Sequence, residues 1–378
     1  MKFDVKKAVL VEGLTKVSKV IAAKSTLPIL QGILMEVTEQ EIKLTGSDTN
    51  ETISHCIPVD GENVKVYETG KTVLQKQVVD IVKKSRKEIT FTLDGFTTTI
   101  RSGKGEFDLN GLDPEEYPKF PKVDLEKPTL VFNGNQFKDF IKKTAFAASD
   151  KDTRPVLKGV FCDIQGDCIK LVATDSHRLS RVTHKTSNSA DIQLVVPAKS
   201  LENAIKLFDL DYEVEVFADN GQLLAFRNGP TIYLTRLIEG NYPETSRLIP
   251  SDFKANMRIN RKEFLSGLEQ IYDIANASDG NTKGTAKLHV NGEACLSSHQ
   301  AQTGKGRIDI PYESLEGEDG FTISFAVKYA IDSLKALECE EVDFKYTDSM
   351  RPFLLSPSSD TSDLEEVQLI LPVRTIES

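Results

Sequence analysis

Leu10, Leu14, Val17 and Ile21 recur at intervals of three and four, which lays them along one stripe of a helix. Phe137, Ile141 and Ala145 repeat that stripe, and Phe264, Leu268, Ile271 and Ala275 write it a third time. After each stripe the period changes to two, around "IKLTGSD", "IKLVATD" and the pair "AKLHV" and "EACLSS", which predicts strands half-buried on a sheet. A second helix follows each time: "LQKQVVDIVKKSRK", "PAKSLENAIKLF" and "AVKYAIDSLKAL". Further alternating segments close each unit: "EITFTLDGFTTTIRSGKGEFDL", "EVEVFADNGQLLAFRNGPTIYLTRL", and "EVDFKYTDSMRPFLLS" with "EVQLILPV". Asp94-Gly95 and Asn220-Gly221 mark hairpins. Helix, strands, helix and strands, three times over, predict an α+β chain of three similar units.

Short phrases repeat with the elements. "TLPILQGI" (26–33) and "TRPVLKGV" (153–160) share Pro, Leu and Gly at an offset of 127. "LTGSD" and "LVATD" end on Asp48 and Asp175, again 127 apart, and "EEYP" and "GNYP" end on Pro118 and Pro243 at an offset of 125. Such spacing implies a duplicated domain, with a fainter third copy. The loops "PKFPKVDLEKP" and "RLIPSDFKAN" place the expected boundaries, giving domains 1–123, 124–250 and 251–378.

Charge refines this picture. The chain of 378 residues carries a formal charge of −10 and a pI near 5.2, which by itself argues against a polyanionic partner. The distribution is uneven, however. The expected helices 6–24, 74–87, 135–151, 197–208, 260–276 and 326–338 hold 20 Lys and Arg against 10 Asp and Glu; the remainder holds 27 against 47. Helices sharing one side would face a polyanion, with an acidic exterior discouraging nonspecific contact. Lysine also simply suits exposed helices, and helix 260–276 is net −1. No run of about 18 apolar residues exists to span a membrane. The start "MKFDVKKAVLVEGL" lacks the apolar core of a signal peptide. Cys56, Cys162, Cys168, Cys295 and Cys339 form no CxxC pair, which suits a reducing cytoplasm.

Catalytic chemistry finds little support. Asp175, Ser176 and His177 are adjacent, and side chains that alternate along a strand cannot converge into a proton relay. His55, His177, His184, His289 and His299 show no metal-ligand spacing, and no GxxxxGK[ST] loop is present. The expectation is a non-enzyme with no metal and no cofactor.

The phrases "TLPILQGI", "ATDSHRLS", "EGNYPETSRLIP" and "QLILPVR", in this order over essentially the whole chain, resemble the bacterial DNA sliding clamp, the beta subunit of DNA polymerase III. That resemblance implies three clamp domains per chain and a head-to-tail dimeric ring, helices lining the hole and sheets outside. It implies a processivity factor that encircles double-stranded DNA without reading sequence and tethers the replicative polymerase catalytic subunit. The clamp loader and repair proteins with clamp-binding motifs would be further partners. Matching positions imply DNA contacts at Lys24, Lys83, Lys151, Lys199 and Lys206. They imply a partner-peptide pocket from Leu157, Thr174, His177, Arg178, Leu179, Pro243, Arg247, Leu248, Tyr329, Met350, Leu371, Pro372, Val373 and Arg374, whose arginines would meet carbonyls or acids on the ligand. They imply a dimer interface with Phe107 and Leu109 on one side and Ile274, Lys305 and Arg307 on the other, where Glu106 and Asp108 would pair with the two cations.

Two features depart from the family pattern. Ser176 replaces a glycine common in relatives, and "TIES" continues past Arg374; either would tune the pocket. A nucleic-acid enzyme or its inactive relative is the first alternative, and it lacks a carboxylate cluster or metal site. An interaction scaffold that never encircles DNA is the second.

Overall fold

The computed structural model describes residues 1–374 apart from 22–24, 26, 120–122, 187–189, 219–221, 277–283, 301–303 and 360–362. Lys24, the Asn220-Gly221 hairpin and the tail 375–378 therefore lie outside the described residues. Six α-helices are described: α1 (Lys7–Ser18), α2 (Val78–Lys84), α3 (Gly134–Thr144), α4 (Ala198–Leu207), α5 (Arg261–Ala275) and α6 (Val327–Ala336). None is long and apolar enough to cross a membrane.

The apolar stripes drive these helices. Leu10, Leu14 and Val17 of α1 are buried, as are Phe264, Leu268, Ile271 and Ala275 of α5. Two expectations need correction. Each repeat opens on a short strand rather than a helix: Lys2–Lys6, Leu130–Phe132 and Ala255–Asn260. Their alternating Phe3 and Val5, Leu130 and Phe132, and Met257 and Ile259 are buried, a pattern too short to stand out from the helix that follows. The expected helix 74–87 begins as a strand, Gly70–Gln75, whose Thr72, Val73 and Leu74 are all buried, and becomes helical only at Val78.

By contact the chain forms two compact units: Met1–Phe137 with Asn203–Leu237, and Lys138–Glu202 with Ile238–Ser378. In the first, a five-stranded sheet runs Val64–Glu68, Lys2–Lys6, Glu88–Asp94, Thr97–Ser102, Gly105–Asn110. An eight-stranded sheet runs Leu130–Phe132, Val214–Ala218, Leu223–Asn228, Thr231–Arg236, Glu51–Pro58, Glu41–Ser47, Gly32–Val37, Gly70–Gln75. The second unit has a nine-stranded sheet, Asp191–Pro197, Gly159–Gln165, Cys168–Thr174, Arg178–Lys185, Leu364–Ile370, Phe353–Pro357, Glu341–Tyr346, Ala255–Asn260, Ser314–Gly317. Its four-stranded sheet runs Gly304–Ile310, Glu293–Gln300, Thr285–Asn291, Phe321–Ala326.

Two joins of one kind explain why the repeats merge. Strand Glu51–Pro58 of the first repeat pairs antiparallel with Thr231–Arg236, the last strand of the second. Strand Arg178–Lys185 of the second repeat pairs antiparallel with Leu364–Ile370, the last strand of the third. Strand Gly304–Ile310 of the third repeat and the last strand of the first, Gly105–Asn110, are left at the edges of their sheets.

Candidate functional site

The second-repeat join ends in a tight turn. Asp175 Oδ1 accepts from the backbone N–H groups of His177 (2.9 Å) and Arg178 (3.1 Å). The Thr174 hydroxyl donates to the Arg178 carbonyl (2.6 Å) and accepts from the Ser176 N–H (3.1 Å). Ser176 thereby sits at φ 76°, left-handed backbone where glycine is the less strained residue. The first repeat builds the same turn from the same offsets. Asp48 Oδ1 accepts from the N–H groups of Asn50 (3.0 Å) and Glu51 (2.8 Å), Ser47 Oγ donates to the Glu51 carbonyl (2.8 Å), and Thr49 has φ 84°. An aspartate that caps backbone two and three residues ahead is the reason both phrases end in Asp.

What stands on the two turns differs. Arg178 Nη1 donates to Asp332 Oδ2 (2.7 Å), its Nη2 to the Phe146 carbonyl (2.7 Å), and its Nε lies 3.3 Å from Asp175 Oδ2. The guanidinium is also 5.2 Å from the Phe146 ring and 4.7 Å from that of Tyr329. Arg178 is thus engaged within the chain, with its guanidinium against the Tyr329 ring. Tyr329 in turn stacks on the His177 ring at 6.3 Å. Burial, and the Asp175 carboxylate beside it, push the Tyr329 hydroxyl above its usual range. In the first repeat, Glu51 takes the place of Arg178 and accepts from Asn203 Nδ2 (3.0 Å). Asn203 and Asp332 are both the sixth residue of their helices.

The structure brings part of the expected pocket together by contact. The Leu371 N–H donates to the His177 carbonyl (2.9 Å), and the Val373 N–H donates to that of Ser324 (2.7 Å), beside a bridge between Pro372 and Phe325. Leu179 is buried with Val172, Leu354, Val367 and Leu369 in a cluster that Tyr242 packs against, and the Thr174 N–H donates to the Tyr242 hydroxyl (3.1 Å). Leu157 is buried and its carbonyl accepts from the Ser149 N–H (2.8 Å). Pro243, Arg247 and Arg374 are exposed. Leu248 (52%), Met350 (53%) and Val373 (36%) are apolar side chains left in solvent on the same unit. Leu157, Arg247, Leu248, Met350 and Arg374 share with the His177–Tyr329 pair the second compact unit.

Lys83, Lys151, Lys199 and Lys206 are exposed, and none enters an ion pair among the described residues. Sequence reasoning missed Asp332, Phe146 and Tyr242, and also a spacing that would have found the first. Lys-x-x-x-Asp/Asn-x-x-Lys occurs at 76/80/83, at 199/203/206 and at 328/332/335, once in every second helix or its lead-in. All six lysines are exposed.

At the two edge strands, Phe107 is 44% exposed and lies across from buried Ile100. Glu106 pairs with Arg101 in its own sheet (3.0 Å), and Asp108 accepts from Thr99 (2.7 Å). Lys305 is exposed, and Arg307 lies 3.5 Å from Asp309. Ile274 reaches into the space over Gly306, 2.6 Å from where a Cβ would stand.

Catalytic arrangements are not assembled here: Asp175 is spent on backbone N–H groups and His177 on ring stacking. Among the described residues, no group of three or more His, Cys, Asp and Glu could hold a metal. Burial pushes the Cys162 thiol up to about 12 and, with Glu41 adding, the Cys56 thiol up to about 11.

Comparison with known proteins gives one consistent answer. Residues 1–121, 131–244 and 246–374 match the N-terminal, central and C-terminal domains of the DNA polymerase III beta subunit. The beta sliding clamp of Staphylococcus epidermidis is 37% identical over 384 residues, covering 99% of this chain and 100% of the relative. That of Bacillus subtilis is 36% identical over 385 residues with the same coverage. The crystal structure of the Bacillus subtilis DNA polymerase sliding clamp superposes with a TM-score of 0.93 at 35% identity, covering 100% of both chains. The DNA polymerase III beta chain of Streptococcus pneumoniae gives 0.94 at 34% identity, covering 99% of this chain and 100% of that one.

Proposed function

Because the chain belongs to the DNA polymerase III beta subunit family, we propose that it is a non-catalytic sliding clamp: two copies close into a ring around duplex DNA and hold the replicative polymerase on its template. Tethering raises the polymerase's local concentration, so processivity needs no chemistry and no tight grip on phosphates. Lys83, Lys151, Lys199 and Lys206, with Lys24, supply the loose phosphate contacts. The exposed Leu248, Met350 and Val373, with the His177–Tyr329 stack of the same unit, receive extended peptides carrying leucine and phenylalanine from the polymerase, the clamp loader and repair proteins. Clamp domains 1–123, 124–250 and 251–378 each supply one segment of the half-ring, helices inward, and the protein works in the cytoplasm.

One observation carries ring closure: the chain makes the same join twice and has one of each half left over. Transferring the internal registers, Tyr233↔Ile53 and Gln368↔Ser180, to the free edges sets Phe107 of one copy opposite Gly306 of the next. The phenylalanine then packs beside Ile274, which covers the glycine. Asp108 falls opposite Lys305 and Glu106 opposite Arg307, so the acids already held by Thr99 and Arg101 gain cross-strand cations. Asp80, the first-repeat member of the Asn203 and Asp332 series, lines an open groove of about 660 Å³ and has no side-chain partner among the described residues. The preceding repeat's turn meets that position at both internal joins.

Sedimentation tests this directly. The wild type should run as a dimer. Lys305→Glu with Arg307→Glu should shift it to monomer, and adding Glu106→Lys and Asp108→Lys should restore the dimer. An undisturbed dimer in the first variant rejects the register. Retention on closed circular DNA, with release on linearisation, tests encirclement; release from both forms alike would favour a scaffold.

A further inference from the structure

Lys328 and Asp332 stand on α6 as Lys199 and Asn203 stand on α4, at the second and sixth helical positions. We infer that Asp332 is a positioning residue that couples the peptide pocket to the lysine row of α6, so that DNA and a pocket peptide strengthen each other's binding. This rests on the clamp reading, with α6 facing DNA.

Asp332 divides its carboxylate between two cations of different standing. Oδ1 accepts from Lys328 Nζ (2.8 Å), and Oδ2 accepts from Arg178 Nη1 (2.7 Å). The Lys328 side chain is 46% exposed and that of Arg178 only 11%. A phosphate can therefore reach the lysine and not the arginine. Drawing Lys328 toward a phosphate leaves the Asp332 charge to Arg178 alone. Arg178 is already wedged between the Phe146 and Tyr329 rings, and Tyr329 carries the His177 ring, so a firmer grip on the guanidinium fixes that wall of the pocket. A cavity of about 300 Å³ beside Phe146, Asp332 and Lys335 leaves room for the re-pairing.

A second connection runs the same way. The Phe146 carbonyl that accepts from Arg178 leads into the loop bearing Lys151, and there the Ser149 N–H holds the carbonyl of Leu157. The segments bearing Lys328 and Lys151 are thus both hydrogen-bonded to residues of the pocket. Coupling between binding equilibria is reciprocal, so either ligand reports it.

The test uses the full-length dimer, a fluorescent peptide carrying the Leu and Phe of a clamp-binding motif, and a 30-base-pair duplex at low salt. The duplex should tighten peptide binding roughly two- to fivefold, the range open to one partly exposed ion pair. Lys328→Gln should bind peptide more tightly without duplex and lose the response. Asp332→Asn should bind peptide more weakly and also lose it. Lys262→Gln, a charge removed elsewhere in the same unit, should leave peptide affinity unchanged. A full duplex response in both Lys328→Gln and Asp332→Asn overturns the coupling. Failure of labelled duplex or of peptide to bind the wild type overturns the clamp reading itself, and the coupling with it. Because Lys328 is exposed, its variant folds whether or not Asp332→Asn does.

Discussion

His55 is 4% exposed in the join between the first two repeats, opposite Thr231 and 3.0 Å from its hydroxyl. Burial, with Lys16 adding, lowers its pKa from 6.5 to about 4. The unfolded chain therefore takes the proton first. Stability is complete above pH 6.5 and is lost as the pH falls from there toward 4, by up to about 3 kcal/mol. Urea unfolding at neutral pH and near pH 4.5 should show that loss, and His55→Gln should flatten it. Ser176 offers a second test. At φ 76° the serine is strained, so Ser176→Gly should stabilise the fold by up to about 1 kcal/mol in the same assay. Ser176 was legible as a letter, while its backbone strain was not, because nothing in "TDSH" distinguishes a turn from a continuing strand. Asp175 and His177 were likewise read as alternating residues of a strand, whereas the Asp175 carboxylate closes a turn on the backbone N–H groups of His177 and Arg178.

At the scale of elements, both internal joins end on the same turn but close it with different chemistry. Glu51 and Asn203 make a compact polar contact, with the Arg236 side chain bound to the Thr49 carbonyl (3.2 Å). Arg178 and Asp332 are instead flanked by aromatic rings, with Leu371 in the corresponding place. Calorimetric titration should therefore find one clamp-motif peptide per chain, and two would contradict this distinction. The second join also buries an ion pair, Lys143 with Glu366 at 2.7 Å, their side chains 9% and 8% exposed. Glu366→Leu alone strands the lysine and should cost about 3–5 kcal/mol, whereas adding Lys143→Met should recover most of it in denaturant titration. Helix stripes were legible because α1 and α5 each bury a whole face. The opening strands were not, since three to six residues give too few alternations. The joins were invisible for a different reason: strand pairing between repeats leaves no local mark, and only the repeat offset hints at it.

For the whole molecule, a chain of net charge −10 can embrace a polyanion only if its cations are segregated, and under the proposed function the exposed lysines of the three Lys-x-x-x-Asp/Asn-x-x-Lys segments would be the means. Replacing Lys83 and Lys151 with glutamine should weaken duplex binding at low salt and reduce the slope of log K against log salt by roughly one per lysine, with the dimer intact on sedimentation. An unchanged slope would remove these two from the contact surface. The duplication and the charge bias were both legible in the sequence, the former from repeated phrases and the latter only after helices had been assigned. One practical consequence follows from the way Leu371 and Val373 are stitched to His177 and Ser324. Under the proposed function, an affinity tag or biotin handle joined directly after Ser378 begins five residues beyond Arg374, so a biosensor surface attached through it would crowd the face meant to receive peptides.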